Sequence, residues 1–204
     1  MDSGNDVVTR SEPSPTHKRA RFMIDARRSR FTVQVFAAGM LSAMGHNPTI
    51  GIRGFTGEVE FDADDPAAGP LRLTIQAASL EVLDDISDRD RREMEKIMKN
   101  DVLEVASYPE IAYQSSDIAL KKLNESLYTA AIMGDLNFHG VTRRLPLAAR
   151  IVDSGDMLRV SGDFTLKQTD FQIKPVSVAG GALKLKDELK FMFEMIARRH
   201  EPGA

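Results

Sequence analysis

From Met157 to Lys167 the chain alternates strictly, with Leu158, Val160, Gly162, Phe164 and Leu166 interleaved with Arg159, Ser161, Asp163, Thr165 and Lys167. A two-residue period places one set on each face of an extended strand, one toward an apolar interior and one toward water. The same pattern recurs along most of the chain. It predicts an antiparallel sheet folded around an apolar interior, which is either a packed core or a ligand cavity.

The other strands follow from the same argument. Phe31, Val33 and Val35 alternate with Thr32 and Gln34, and a Gly- and Met-rich stretch from Gly39 to Gly45 follows. Thr49 to Ala63 reads as one long strand or two, broken at Gly54 or Gly57; Asp64, Asp65, Pro66 and Gly69 supply turn chemistry. Leu71, Leu73 and Ile75 alternate with Arg72, Thr74 and Gln76, and that strand continues to about Leu83. Glu110 to Ser115, Ser126 to Phe138, Val141 to Val152, Met157 to Lys167 and Glu188 to Ala197 are extended as well. His139-Gly140 is a tight hairpin turn with Gly at positive φ, and Ser154-Gly155-Asp156 is a second turn. A loop holding Pro175, Gly180 and Gly181 follows Asp170.

One segment has a different period. Met94, Ile97, Met98, Val102 and Val105 form one stripe of an amphipathic helix. Ser87 with Asp90 resembles an N-cap, and Pro109 lies just beyond the end. The total is roughly eight strands and one helix in one domain, which implies a sandwich or a closed barrel.

Composition narrows the function classes. The chain has 204 residues, 42 % of them hydrophobic, with 27 basic and 30 acidic side chains for a formal net charge of −3. No strong field favours nucleic acid or an anionic membrane. The absence of cysteine removes disulfides and thiolate chemistry and fits a reducing compartment. Met1 to Arg21 is polar and reads as a disordered tail rather than a signal peptide, and residues 199–204 read as a C-terminal tail. No stretch approaches the roughly 18 apolar residues of a spanning helix. The expectation is a cytoplasmic protein. The basic cluster from Lys18 to Arg30 allows at most peripheral membrane contact, and a homodimer is possible.

Catalytic motifs are absent: there is no G-x-S-x-G elbow, no G-x-G-x-x-G and no G-x-x-x-x-G-K-[ST] loop. Gly51, Gly54 and Gly57 sit inside a strand pattern and read as sites of bends. His46 and His139 have no neighbouring ligands at metal-binding spacing, so no metal is expected. His139 reads as a turn residue. His46, in Gly45-His46-Asn47-Pro48 after Met40, Leu41 and Met44, either caps that turn or touches a ligand. Asp84, Asp85, Asp88 and Asp90 break EF-hand spacing at Ile86 and Arg89 and suit a helix N-terminus. The ten methionines include Met40, Met44, Met94 and Met98, thioethers suited to an irregular apolar surface or to core filling.

Several motifs together resemble one family. Phe22-Met23-Ile24-Asp25 with Ser29-Arg30-Phe31, and Phe55-Thr56-Gly57-Glu58-Val59-Glu60-Phe61-Asp62, occur in order. They precede Asp88-Arg89-Asp90, Leu103-Glu104-Val105 and Tyr108-Pro109-Glu110-Ile111. Gly134-Asp135-Leu136-Asn137-Phe138-His139-Gly140-Val141-Thr142 with Leu145-Pro146-Leu147 completes the set. Over roughly Phe22 to Arg198 the chain resembles the YceI-like domain, polyisoprenoid-binding proteins with a lipocalin-like β-barrel. It departs from many members in having Arg28-Ser29 where they carry a His-Ser pair.

The resemblance implies an all-β, antiparallel eight-stranded lipocalin-like barrel over residues 22–198, with one amphipathic helix in a connection. It also implies an apolar lumen for an isoprenoid or quinone-like chain, no catalytic residues and no cofactor. Alternation then selects Phe31, Val33, Val35, Leu71, Leu73, Ile75, Leu158, Val160, Phe164, Phe191 and Phe193 as lumen-facing. Met40, Leu41, Met44, Met94 and Met98 are candidates to cover one mouth, and His46 is a further candidate ligand contact. The alternatives are a filled barrel acting as a protein-interaction or stress-response module, and a lipid or quinone enzyme with His46 as acid or base.

Overall fold

The structure, a computed structural model, describes residues 20–38, 47–61, 69–178 and 183–200. The N-terminal half supplies β1 (Ala20–Ile24), β2 (Arg30–Ala38), β3 (Thr49–Ile52), β4 (Phe55–Phe61), β5 (Leu71–Gln76) and β6 (Leu80–Val82). A helix, α1 (Asp88–Ile97), precedes β7 (Glu110–Lys122), β8 (Leu127–Phe138), β9 (Val141–Asp153), β10 (Met157–Lys167), β11 (Ser177–Val178) and β12 (Leu183–Arg199).

Eight of these strands close a ring in the order β1-β4-β5-β7-β8-β9-β10-β12, and β12 pairs back onto β1. Every pairing is antiparallel. Closure leaves no free edge around the ring, and eight strands make a tube wide enough for side chains or for one small guest. β1 begins at Ala20 and β12 runs to Arg199, so residues 20, 21 and 199, expected as tail, are in the barrel wall.

Toward the other end, β2, β3 and β6 extend the wall beyond this ring. The chain makes one long strand from β1 and β2, interrupted at Ala26–Arg28. Ser29 bridges the interruption: its Oγ accepts from Ile196 N at 2.9 Å and donates to Asp25 O at 2.7 Å. The β3–β4 break falls at Arg53-Gly54, and the β5–β6 break at Ala77–Ser79.

β6 and β7 do not pair among the described residues, and α1, which follows β6, lies against it. Ser87 caps the helix, with its Oγ accepting from Asp90 N at 3.1 Å. Two helix side chains then stand in for a strand partner at β6. Glu95 Oε1 accepts from Val82 N at 3.0 Å, and the Arg91 guanidinium donates to Val82 O and, at 2.8 Å, to Asp84 O. These are charge-assisted bonds to backbone groups that would otherwise be orphaned. Past Ile97 the helix widens into a π turn, Met98–Val102, with Leu103 N donating to Met98 O at 2.9 Å. The sequence stripe through Val105 packs against the core, and the extra residue of the π turn adds Leu103 to it as a buried side chain.

The His139-Gly140 hairpin is as expected, with φ of 52° and 73°. Gly162 has a different purpose. A Cβ there would lie 2.5 Å from Ala148 O and 2.6 Å from Phe193 Cζ. The gap lets the Phe193 ring, paired opposite on β12, lie flat over β10. Gly162→Ala is expected to destabilise the fold by about 1–3 kcal/mol through overpacking against a backbone oxygen that cannot move aside. Urea unfolding checks this, and an unchanged midpoint would contradict the packing described.

Candidate functional site: an apolar lumen closed at one end

The two ends of the barrel differ. At the end bearing the β9–β10 turn, Phe22, Phe61, Tyr128 and Leu158 fill the interior, and Phe22 and Leu158 are each only 1 % exposed. Phe61 meets Phe22 edge-on at 6.2 Å and Tyr128 at 5.6 Å. Outside this aromatic plug, Arg199 lies over the Phe22 ring and Lys122 over the Tyr128 ring, each at 5.7 Å. Cations over ring faces seal the plug against water while keeping their own charge hydrated.

Above the plug the barrel is hollow. A cavity of about 530 Å³ runs from the level of Ile24, Val59 and Ala197 up to Ala37, Pro48, Val176 and Lys184. β12 contributes to its wall from Lys184 to Ala197; at about 3.3 Å per residue and a tilt near 40°, that is on the order of 30 Å of barrel axis. The cavity is therefore elongated. Its volume is in the range of small-molecule sites, roughly 300–1,000 Å³.

Most residues selected by alternation lie on this wall: Phe31, Val33, Val35, Leu71, Leu73, Ile75, Val160, Phe164, Phe191 and Phe193. Met94 and Met98 line it from the helix side. Leu158 does not; the expectation that it lines the pocket is corrected, because it is buried in the plug below the cavity. Met40, Leu41, Met44 and His46 lie outside the described residues. Sequence reasoning omitted the walls of β7, β8 and β9, although Ile132, Leu136 and Phe138, and Leu145, Leu147 and Ala149, carry the same alternation.

The aromatic side of the wall is ordered by ring contacts. Phe164 and Phe191 stack at 4.7 Å with 6° between planes, and Phe31 meets Phe191 and Phe193 edge-on. Such pairs fix rotamers and hold the lumen open rather than letting it collapse. Three polar-bearing side chains also reach the wall: Tyr113, Gln168 and Lys184. Burial pushes the Tyr113 phenol up to about 12, and the Asp135 charge acts in the same direction against Arg144. It therefore keeps its proton at ordinary pH and donates it to Leu145 O at 3.1 Å.

No cluster of histidine or carboxylate able to hold a metal occurs among the described residues. His139 is committed to the hairpin, its ring 4.2 Å from that of Tyr108 and its Nε2 3.7 Å from Glu104 Oε2. Asp84, in the acidic run, accepts from Thr49 N at 2.9 Å and so holds β3 in place.

A family model for the YceI-like domain matches residues 18–197. The chain belongs to the YceI-like domain family. Among curated relatives, the UPF0312 protein of Pseudomonas syringae pv. tomato is 33 % identical over 124 residues, 58 % of this chain and 59 % of that protein. Protein YceI of Escherichia coli O157:H7 is 31 % identical over 134 residues, 65 % of this chain and 58 % of that protein. The chain thus spans about three fifths of the length of the curated relatives it matches.

Solved structures share the fold at low identity. A polyisoprenoid binding domain from Saccharophagus degradans superposes with a TM-score of 0.64 at 14 % identity, covering 90 % of this chain and all of that one. BcnA of Burkholderia cenocepacia gives 0.63 at 18 % identity, covering 85 % and 98 %.

Proposed function

We propose that this YceI-like chain binds and carries a long apolar amphiphile, an isoprenoid or quinone-like lipid, threaded into the barrel lumen. The observation that carries the reading is a tube plugged at one end and hollow above, with an almost wholly apolar wall. The fold shared with a polyisoprenoid binding domain supports it. A blind-ended channel of this kind suits a chain entering tail first. The hollow interior also argues against a filled barrel serving only as an interaction module.

The energetics are adequate. Each buried methylene contributes about 0.8 kcal/mol, so ten of them give about 8 kcal/mol, equivalent to a micromolar complex before ordering costs. Little reorganisation is needed, because ring stacking already holds the wall open. Sequestration or transfer, rather than turnover, is the role such a site can perform.

Native mass spectrometry of gently purified protein provides the test. The expected result is a co-purifying species with the mass of a prenyl lipid, lost on delipidation and restored by added geranylgeraniol. Protein that is clean as purified, and that also ignores added prenyl alcohols and quinones, would overturn the reading.

A further inference from the structure

Polar atoms are so few on this wall that each can be examined for what it leaves unpaired. The Tyr113 hydroxyl has given its proton to Leu145 O. Lys184 stands at the mouth and is exposed, so its ammonium keeps water. Gln168 differs from both, being 4 % exposed and yet on the cavity wall.

Its amide orientation is fixed by β12. Nε2 donates to Lys186 O at 2.9 Å and to Asp187 O at 3.4 Å. The flipped amide would set Oε1 against two carbonyl oxygens, so that orientation is excluded by chemistry. The turn that carries Gln168 is braced as well. Thr169 N and Oγ1 donate to the two oxygens of Asp187 at 2.9 and 2.6 Å, and these bonds hold that carboxyl below the usual range. Gln168 Oε1 accepts from no described donor, and with Nε2 committed it is the polar atom left to face the lumen.

Oε1 is not among the buried unpaired polar atoms of the described residues, so it is accessible to water in the empty lumen. An apolar guest strips that water and leaves the acceptor unpaired, and a guest that supplies a donor avoids the cost. We propose that Gln168 reads the polar end of the guest: its Oε1 accepts a hydrogen bond from a ligand hydroxyl. The lumen then selects hydroxyl-bearing isoprenoids over acceptor-only counterparts such as ethers, aldehydes and oxidised quinones. A site with a committed polar group rejects the analogue that lacks its partner more strongly than an apolar pocket rejects a missing methylene. The inference rests on the carrier reading above and specifies the chemical class of its ligand.

Calorimetric titration of the delipidated full chain with geranylgeraniol, geranylgeranyl methyl ether and geranylgeranyl phosphate tests it. The alcohol is expected to bind about tenfold more tightly than the ether. Gln168→Met, which keeps the volume and removes the acceptor, should bring that ratio near one. Equal affinities for alcohol and ether in the unmodified protein would overturn the inference and leave the carrier reading standing. A ratio unchanged in Gln168→Met would do the same. Tighter binding of the phosphate than the alcohol, with the advantage lost in Lys184→Ala, would overturn it in favour of the mouth ammonium. If none of the three binds, the carrier reading fails and the inference with it. Should Gln168→Met fail to fold, the alcohol–ether comparison in the unmodified protein still decides.

Discussion

Ala149→Phe is expected to lower prenyl-lipid affinity by about a hundredfold while leaving the melting temperature unchanged or raised. Ala149 is a small inward residue of β9, paired with Ala130 on β8, and its methyl faces the cavity. A phenyl ring added there enters empty space rather than a packed core, so the overpacking that normally accompanies enlargement does not arise. The ring occupies volume the guest would use. Displacing about four methylenes at 0.8 kcal/mol each removes about 3 kcal/mol, two decades of affinity. Titration with geranylgeraniol and a thermal melt, run on the same preparation, separate the two effects. Binding at the unmodified level would place the guest outside the lumen, whatever the melt shows.

Much of this architecture could be read from alternation, because period two reports which face of a strand is inside. β10 and β12 are the clearest cases: Val160 and Phe164 on one, and Phe191 and Phe193 on the other, face the lumen as their spacing requires. The Ser87 cap and the His139-Gly140 turn were legible for a different reason, since both depend only on local backbone chemistry.

Depth along the barrel was not legible. Leu158 and Val160 are neighbours on one face of one strand, yet one is in the plug and the other on the cavity wall. The difference is imposed by Phe22 from β1, Phe61 from β4 and Tyr128 from β8, none of them near in sequence. The interruption at Gly54 is one of the two breaks that the glycines of this stretch suggest, whereas alternation gives no signal of the one at Ala77–Ser79. Gln168 was invisible for a related reason: it lies one residue past the end of the β10 alternation, and its role depends on two carbonyls of β12.

The contrast between plug and lumen predicts unequal costs for the same chemical change. Leu158→Ala is expected to destabilise the protein by about 4 kcal/mol, and Leu73→Ala by about 1–2 kcal/mol. Leu158 is 1 % exposed and enclosed on all sides, so its removal loses both transfer free energy and the contacts of every neighbour around the new void. Leu73 is only partly buried and already borders open space. Truncating it enlarges an existing cavity instead of creating one, and fewer neighbours lose contacts. Urea unfolding of the delipidated variants measures both, with lipid removed so that bound guest does not add its own stabilisation. Equal losses would mean that the lumen is as tightly packed as the plug, and the barrel would then have no room for a guest. A larger loss for Leu158 alone, with prenyl binding kept in that variant, would show that stability comes from the closed end and the binding site from the open one.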